Sequence, residues 1–142
     1  MNSIEMPQEI ASKLWKEAIE LRGSRKKGKI KKAINLVKRI IEERNNPSDI
    51  SVKLNTFIGD CYHLDLKKHD EAIDYYHTAI EINNDPWANV MVGDIFLNHK
   101  RDYKAAADIL KATLDRGISK PLIRDIAQDY LAEATKKIAN FG

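Results

Sequence analysis

The sequence predicts an all-α protein built from paired helices, and its composition and an internal repeat carry that prediction. Of 142 residues, 43% are hydrophobic and 32% are charged, with only four prolines and six glycines, which is typical of a helix-rich globular chain. Three residue triplets recur at a constant step of 34 positions, the signature of stacked structural units. They are Ile58, Gly59 and Tyr62, then Val92, Gly93 and Phe96, and then Ile126, Ala127 and Tyr130.

Each triplet lies in an amphipathic helical pattern, and a second such pattern follows each of the first two. The apolar residues of these second patterns are spaced i, i+4 and i+7, which places them on one helix face. The Gly or Ala of each triplet lets another helix approach closely, and the aromatic side chain three residues later packs beside that contact. The predicted unit is therefore helix, turn, helix. The second helices carry Ala72, Tyr76 and Ala79 in one unit and Ala105, Ile109 and Ala112 in the next.

Seven helices are predicted, arranged as three hairpins and a closing helix that covers the last hairpin. Asp70 and Asp102 are expected to cap the second helices of their hairpins. The helices are expected at about 8–22, 29–44, 49–65, 69–83, 87–99, 102–116 and 119–139. The hairpins would form repeats at about 8–46, 47–84 and 85–118 of a single domain, residues 1–142, with the capping helix at 119–139.

The segment EAIDYYHTAIEIN at 71–83, together with the triplets, resembles the tetratricopeptide repeat family, whose 34-residue unit carries small and aromatic residues at these positions. The resemblance covers roughly 49–116 and the leading helix at 119–139, and Ala18 and Leu21 stand for the triplet in the first repeat. It implies a right-handed α-α superhelix, a solenoid of about three hairpins plus a C-terminal capping helix. It also implies a non-enzymatic adaptor or scaffold that binds a peptide segment of a partner protein in a concave groove.

The family register, carried over from Gly59 and Gly93, assigns a set of groove residues. Trp87 is the foremost of them, because Lys53 and Pro121 hold its position in neighbouring repeats and repeat packing therefore does not require a large side chain there. Alternatively, Trp87 packs on the preceding turn. The predicted peptide-groove residues are Lys53, Phe57, Asp60, Trp87, Met91, Asp94 and Asn98.

Some of these groove residues also have structural interpretations. Phe57 suits the core at least as well as a binding surface. Asp60 and Asp94 would bind a basic or amide-rich ligand, or would only accept hydrogen bonds within the protein.

Family members that bind the acidic C-terminal tails of heat-shock chaperones use Lys, Asn and Arg side chains on the leading helices. None of these residue types stands at the corresponding positions here, so that activity is not expected. The corresponding positions are Trp15 and Ile19, then Phe57, then Trp87 and Met91.

A basic segment offers a second function. The net charge is +3, but residues 1–50 hold 12 Lys/Arg and 7 Asp/Glu, and residues 22–32 are the most cationic stretch. Such a cluster attracts nucleic acid or an acidic protein surface, although it also suits a solvated loop. The anion-binding alternative would use Arg22, Arg25, Lys26, Lys27, Lys29, Lys31 and Lys32. Self-association into a homodimer is a third possibility.

Other kinds of function find no support in the sequence. His63, His69, His77 and His99 have no ligand-like spacing, so no metal site is predicted. No catalytic motif or cofactor fingerprint is present, which predicts a non-enzyme without a cofactor. No segment reaches the length of a membrane span. The single cysteine, Cys61, is predicted to be a buried, inert thiol in a cytoplasmic protein.

Overall fold

A computed structural model describes residues 4–141, and these residues form seven α-helices and no strand. A five-residue π-helical turn continues the third helix. With that turn included, each boundary lies within two residues of its predicted position. The helices are α1 (Gln8–Gly23), α2 (Lys27–Glu43), α3 (Ser48–Asp60) with the π-helical turn (Cys61–Asp65), α4 (His69–Asn83), α5 (Pro86–Asn98), α6 (Tyr103–Arg116) and α7 (Pro121–Phe141).

Two compact units divide the chain, Met1–Tyr75 and Tyr76–Gly142, and the division falls inside α4. The sequence-based assignment of one domain with three repeats stays a prediction, and residues 1–3 and 142 of that range lie outside the described residues. The all-helical prediction is confirmed.

The first unit is held together by α1 and α2, which pack against each other. Ala33, Val37 and Ile40 repeat at i, i+4 and i+7 on α2, and all three are buried, while Ala18 of α1 has no exposed surface. Full burial of an aliphatic side chain contributes about 1.5–3 kcal/mol. The apolar stripe of α2 therefore explains why this helix forms in a lysine-rich segment.

The turns after α3 and α5 repeat the same backbone geometry 34 positions apart. Lys67 and Arg101 both adopt the left-handed conformation, with φ of 58° and 55°. The next amide nitrogen in each turn bonds a carbonyl six residues back, Lys68 N to Tyr62 O at 2.7 Å and Asp102 N to Phe96 O at 2.9 Å. This pattern satisfies carbonyl groups left open at a helix end. The periodicity of the sequence is thus present in the backbone.

The second unit shows why the triplets need a small residue. A Cβ atom added to Gly93 of α5 would lie 2.8 Å from Cγ and Cδ2 of Leu110 of α6. Real Cβ atoms do not approach so closely, and Gly93 therefore permits the contact between the two helices. Helix α7 packs against α5 and α6 through a face that includes Ala127 and Ala134, both fully buried.

Helix starts follow the expected polar signals with one correction. The Asp102 carboxylate accepts the Ala105 N–H at 3.1 Å and caps α6, as predicted, and Asp85 accepts the Ala88 N–H at 3.0 Å in front of α5. Asp70 is not the cap of α4, because the helix begins one residue earlier, at His69, and Asp70 lies in its first turn. At that position its negative charge still interacts favourably with the helix dipole.

Candidate functional site

In the first unit, α1 and α3 lie side by side with a constant offset in numbering. The Trp15 and Phe57 rings meet edge to face with centroids 5.0 Å apart, and Arg22 Nε donates to Asp65 Oδ2 at 2.7 Å. The partners are 42 residues apart at the first contact and 43 at the second. Because this separation is nearly constant, the two helices run parallel. We call the side of this pair that carries Trp15, Ile19, Lys53, Phe57 and Leu64 the α1–α3 surface.

One cavity of about 280 Å³ opens on the N-terminal half of this surface. Trp15 forms one wall, and Ile50 and Lys53 of α3 form another. A guanidinium group lies at its edge, where Arg44 donates to the Met6 carbonyl at 3.0 Å and to Gln8 Oε1 at 2.6 Å. The full lining comprises Gln8, Ala11, Ser12, Trp15, Ile40, Arg44, Asn46, Pro47, Ile50, Lys53 and Leu54.

A second, wider cavity of about 600 Å³ opens beyond Phe57, towards the C-terminal end of α1. Ile19 and Leu64 contribute exposed aliphatic surface, being 48% and 38% exposed. The complete lining is Ile19, Arg22, Gly23, Arg25, Ile30, Phe57, Leu64 and Asp65.

Two guanidinium groups and one carboxylate set the charge of the wider cavity. Burial alone would lower the pKa of Arg22, but the hydrogen bond and the negative charge of Asp65 outweigh it and raise that pKa. The Arg22 guanidinium also lies 5.6 Å from the centre of the Phe57 ring. Asp65 balances Arg22, which leaves the exposed Arg25 as the uncompensated charge of this cavity.

Among the predicted groove residues of the first unit, Lys53 is exposed and Asp60 is half-buried. Phe57 is only 8% exposed and belongs to the hydrophobic core of this unit, which agrees with its structural interpretation. Phe57 lines the wider cavity and contacts Trp15, which lines the narrower one. Trp15 and Ile19 stand at positions where family members that bind chaperone tails carry their binding residues. Here they provide more of the accessible apolar surface than Phe57 does.

In the second unit, the predicted groove residues on α5 differ in accessibility. Met91 is 2% exposed and Asp94 is 8% exposed, whereas Asn98 is exposed and Trp87 is half-buried. Asn98 Nδ2 donates to Asp94 Oδ1 at 2.6 Å. Burial, and secondly the charge of Asp94, raise the pKa of Tyr130 on α7. Met91 and Asp94 are therefore largely enclosed in this unit, and their place in a peptide groove stays a prediction.

Of the seven cationic residues in the basic segment, one forms an ion pair and six are exposed. Arg22 is paired with Asp65, and no other member of the segment forms an ion pair with a described residue. Helix α2 begins with Lys26 at the N-cap position, without a side-chain cap and without an acidic residue in its first turn. The exposed members are Arg25, Lys26, Lys27, Lys29, Lys31 and Lys32.

Two histidines that sequence spacing did not connect are brought together in the first unit. His63 lies in the π-helical turn and is 2% exposed, and His69 is the first residue of α4. Their Nδ1 atoms are 2.9 Å apart. A separation of six residues is not a ligand spacing on a regular helix, and only the π-helical turn and the left-handed Lys67 make the two imidazoles meet.

The Cys61 thiol is fully buried at the start of the π-helical turn. Burial raises its pKa from 9.0 to about 12, against the opposing effect of the Arg22 charge. Because the thiolate is the nucleophile, this group is inert at neutral pH, as the sequence predicts.

Comparisons with known proteins identify one repeat. Residues 52–86 match the family model described as tetratricopeptide repeat, and this range spans most of α3, the π-helical turn and α4. Curated proteins and solved structures yielded no match. Tetratricopeptide repeats generally mediate protein–protein interaction and typically belong to non-enzymatic scaffolds. In the part of the chain that the structure describes, no helix combines the length and apolar character needed to cross a membrane.

Proposed function

We propose, on the premise that residues 52–86 are a tetratricopeptide repeat, that this protein is a non-enzymatic adaptor that binds a peptide segment of a partner protein. The α1–α3 surface is the proposed receptor in the first unit. The observation that supports it is the pair of cavities on either side of the Trp15 and Phe57 rings. Ligand sites are concave and mostly apolar, with a few polar groups that fix orientation. The narrower cavity has those properties, and the wider one adds two guanidinium groups and a carboxylate.

The chemistry of the α1–α3 surface favours a segment that carries aliphatic and acidic side chains. Ile19 and Leu64 offer apolar contact area at the wider cavity, and Ile50 is exposed at the narrower one. Lys53 and Arg25 place positive charges at the two cavities. Apolar anchors at the centre and charges at the rim are the usual distribution of binding energy in an interface.

In the second unit, Trp87 is the proposed anchor. It is half-buried on α5, and the neighbouring Met91 supports the helix from within. Asn98 offers an exposed amide on the same helix. Asp60 of the first unit remains a proposed polar contact.

The test begins with partner identification by cross-linking and mass spectrometry of the full-length chain, followed by affinity measurement with the purified partner. We expect Ile19→Asp or Trp87→Ala to weaken binding at least about tenfold, as interface anchors do. Leu122→Asp is the matched control, since Leu122 is 72% exposed on α7 and is not a proposed contact. Equal affinity of all three variants with the unchanged protein would contradict the proposal.

The exposed basic segment supports a second candidate function, the binding of nucleic acid or an acidic protein. Six unpaired cations at the start of α2 would release counterions from a polyanion, and the affinity would fall steeply with salt. Fluorescence anisotropy with a single-stranded oligonucleotide tests this. Lys27→Gln combined with Lys29→Gln should weaken binding, while Lys120→Gln combined with Lys136→Gln serves as the charge-matched control. If both double variants bound the oligonucleotide with the same affinity, the basic segment would not be the nucleic-acid-binding site.

The cytoplasm is the proposed location. A single cysteine whose thiol is buried cannot contribute to an intramolecular disulfide framework, which secreted domains often use.

A further inference from the structure

We propose that His63 and His69 together bind a divalent transition-metal ion of the kind that prefers imidazole, such as Zn²⁺. This site is independent of the peptide-binding surface proposed above. Its basis is the 2.9 Å distance between the two Nδ1 atoms.

The distance between the two nitrogen atoms already matches what a metal ion requires. Zinc lies about 2.0–2.1 Å from a histidine nitrogen, so two such bonds at roughly 90–110° hold their nitrogens about 2.8–3.4 Å apart. The Nδ1 atoms of His63 and His69 fall within that interval. The ion would lie to one side of the line that joins the two nitrogens, so each ring would turn towards it while the distance between the nitrogens stays nearly the same.

The protonation of the pair also favours an ion. Two Nδ1 atoms at 2.9 Å share one proton, because each neutral imidazole carries a proton on only one of its nitrogens and a second proton between them would clash. At least one Nδ1 lone pair is directed at the other ring. A metal ion that takes the place of this proton would be bound by both Nδ1 lone pairs, with the proton carried on Nε2 of that ring and each ring turned towards the ion.

The backbone holds the two rings in place before any ion binds. The π-helical turn that carries His63 is closed by a hydrogen bond from Leu66 N to Cys61 O at 2.9 Å, and the bond from Lys68 N to Tyr62 O sets the start of α4. Such preorganisation strengthens a metal site, since the ligands lose little freedom on binding. Single π-helical turns are also frequent at functional sites.

The ligand type limits which metals fit. Imidazole nitrogen suits zinc, copper and nickel, whereas magnesium and calcium prefer oxygen ligands. Two imidazoles leave coordination positions open for water or another donor. His69 is half-buried, so solvent ions reach the pair from its side, while His63 is enclosed.

The test is isothermal titration calorimetry of the metal-free, full-length protein with ZnCl₂, and MgCl₂ is the negative control. We expect saturable zinc binding that His69→Gln weakens at least about tenfold, because glutamine keeps a polar side chain but removes the imidazole lone pair. His77→Ala is the control, because His77 is an exposed histidine further along the same helix. His63→Ala should lose binding as well, with folding checked by circular dichroism because His63 is buried.

A second measurement separates metal binding from loss of structure. Zinc in excess should raise the melting temperature of the unchanged protein but not that of His69→Gln, since a ligand of the native state stabilises it. Absence of saturable zinc binding, or unchanged affinity in His69→Gln, would overturn the proposal.

Discussion

At the scale of single residues, Gly93 is under a steric constraint at the contact between α5 and α6. The nearest atoms to an added Cβ belong to Leu110, which is fully buried and has little room to move. Gly28, in contrast, has no heavy atom within 4 Å of an added Cβ and lies at an exposed position near the start of α2. The two glycines thus have opposite sensitivity to the same substitution.

We expect Gly93→Ala to lower the free energy of unfolding by about 1–3 kcal/mol, because the new methyl group overpacks the contact with Leu110. Gly28→Ala is the matched control and should raise it by about 0.5–1 kcal/mol, because alanine costs less entropy than glycine in a helix. Urea denaturation of both variants measures the difference. A Gly93→Ala protein as stable as Gly28→Ala would refute the close-contact explanation.

Cys61 provides a prediction of pH dependence. Its pKa is about 12 in the folded protein and 9.0 ordinarily, so between these values the unfolded chain loses the thiol proton and the folded chain keeps it. The contribution of the neutral thiol to stability is therefore complete below pH 9 and is lost as the pH rises towards 12. We expect the stability advantage of the unchanged protein over Cys61→Ala to shrink over this range.

Denaturation curves at several alkaline pH values measure that advantage. A thiol-specific reagent at pH 8 provides the companion test, because it should modify Cys61 only after unfolding. Rapid modification of the folded protein would contradict the burial of this thiol.

At the scale of elements, the turns after α3 and α5 connect sequence repetition with backbone conformation. Both place a long cationic side chain, Lys67 or Arg101, in the left-handed conformation. That conformation costs a residue with a Cβ atom roughly 1–2 kcal/mol, and glycine avoids the cost. The turns are therefore not at their stability optimum.

We expect Lys67→Gly and Arg101→Gly each to raise the free energy of unfolding by up to about 1 kcal/mol, since glycine's greater freedom in the unfolded chain offsets part of the gain. Lys104→Gly is the control of opposite sign. Lys104 is exposed near the start of α6, where glycine should cost up to about 1 kcal/mol. The midpoints of urea unfolding measure these effects. If both Lys67→Gly and Arg101→Gly lowered the midpoint, the left-handed backbone at these residues would not be strained.

At the scale of the whole molecule, the distribution of exposed apolar residues bears on self-association. On α7 the large exposed apolar side chains are Leu122, at 72%, and Phe141, at 71%. They lie 19 positions apart, which is about 28 Å along a helix. They do not form one contiguous apolar patch, and a contiguous patch is what a stable homodimer usually uses.

We therefore expect no stable homodimer through α7, and a monomer at micromolar concentration in light scattering or sedimentation equilibrium. A dimer would support the self-association alternative. Its loss in Leu122→Ser or Phe141→Ser would then assign the interface to α7.

Local sequence patterns were sufficient for the elements and their spacing. Periodic apolar residues predicted all seven helices because burial of one face is a property of each helix by itself. On α6, however, the buried face carries Ala106, Leu110 and Thr113 instead of the predicted Ala105, Ile109 and Ala112. The 34-residue step placed Gly93 at a helix contact. Asp102 could be identified as a cap because its partner is three residues away. The match of residues 52–86 to the tetratricopeptide repeat confirms the resemblance over that range.

The tertiary structure decided how individual side chains are used. The sequence could not show that Arg22 pairs with Asp65, that Met91 is enclosed, or that His63 meets His69 across a π-helical turn. Each of these depends on contacts or backbone turns that no regular helical spacing encodes. Short-range periodicity thus determined where the helices are, and packing between them determined which residues remain accessible for binding.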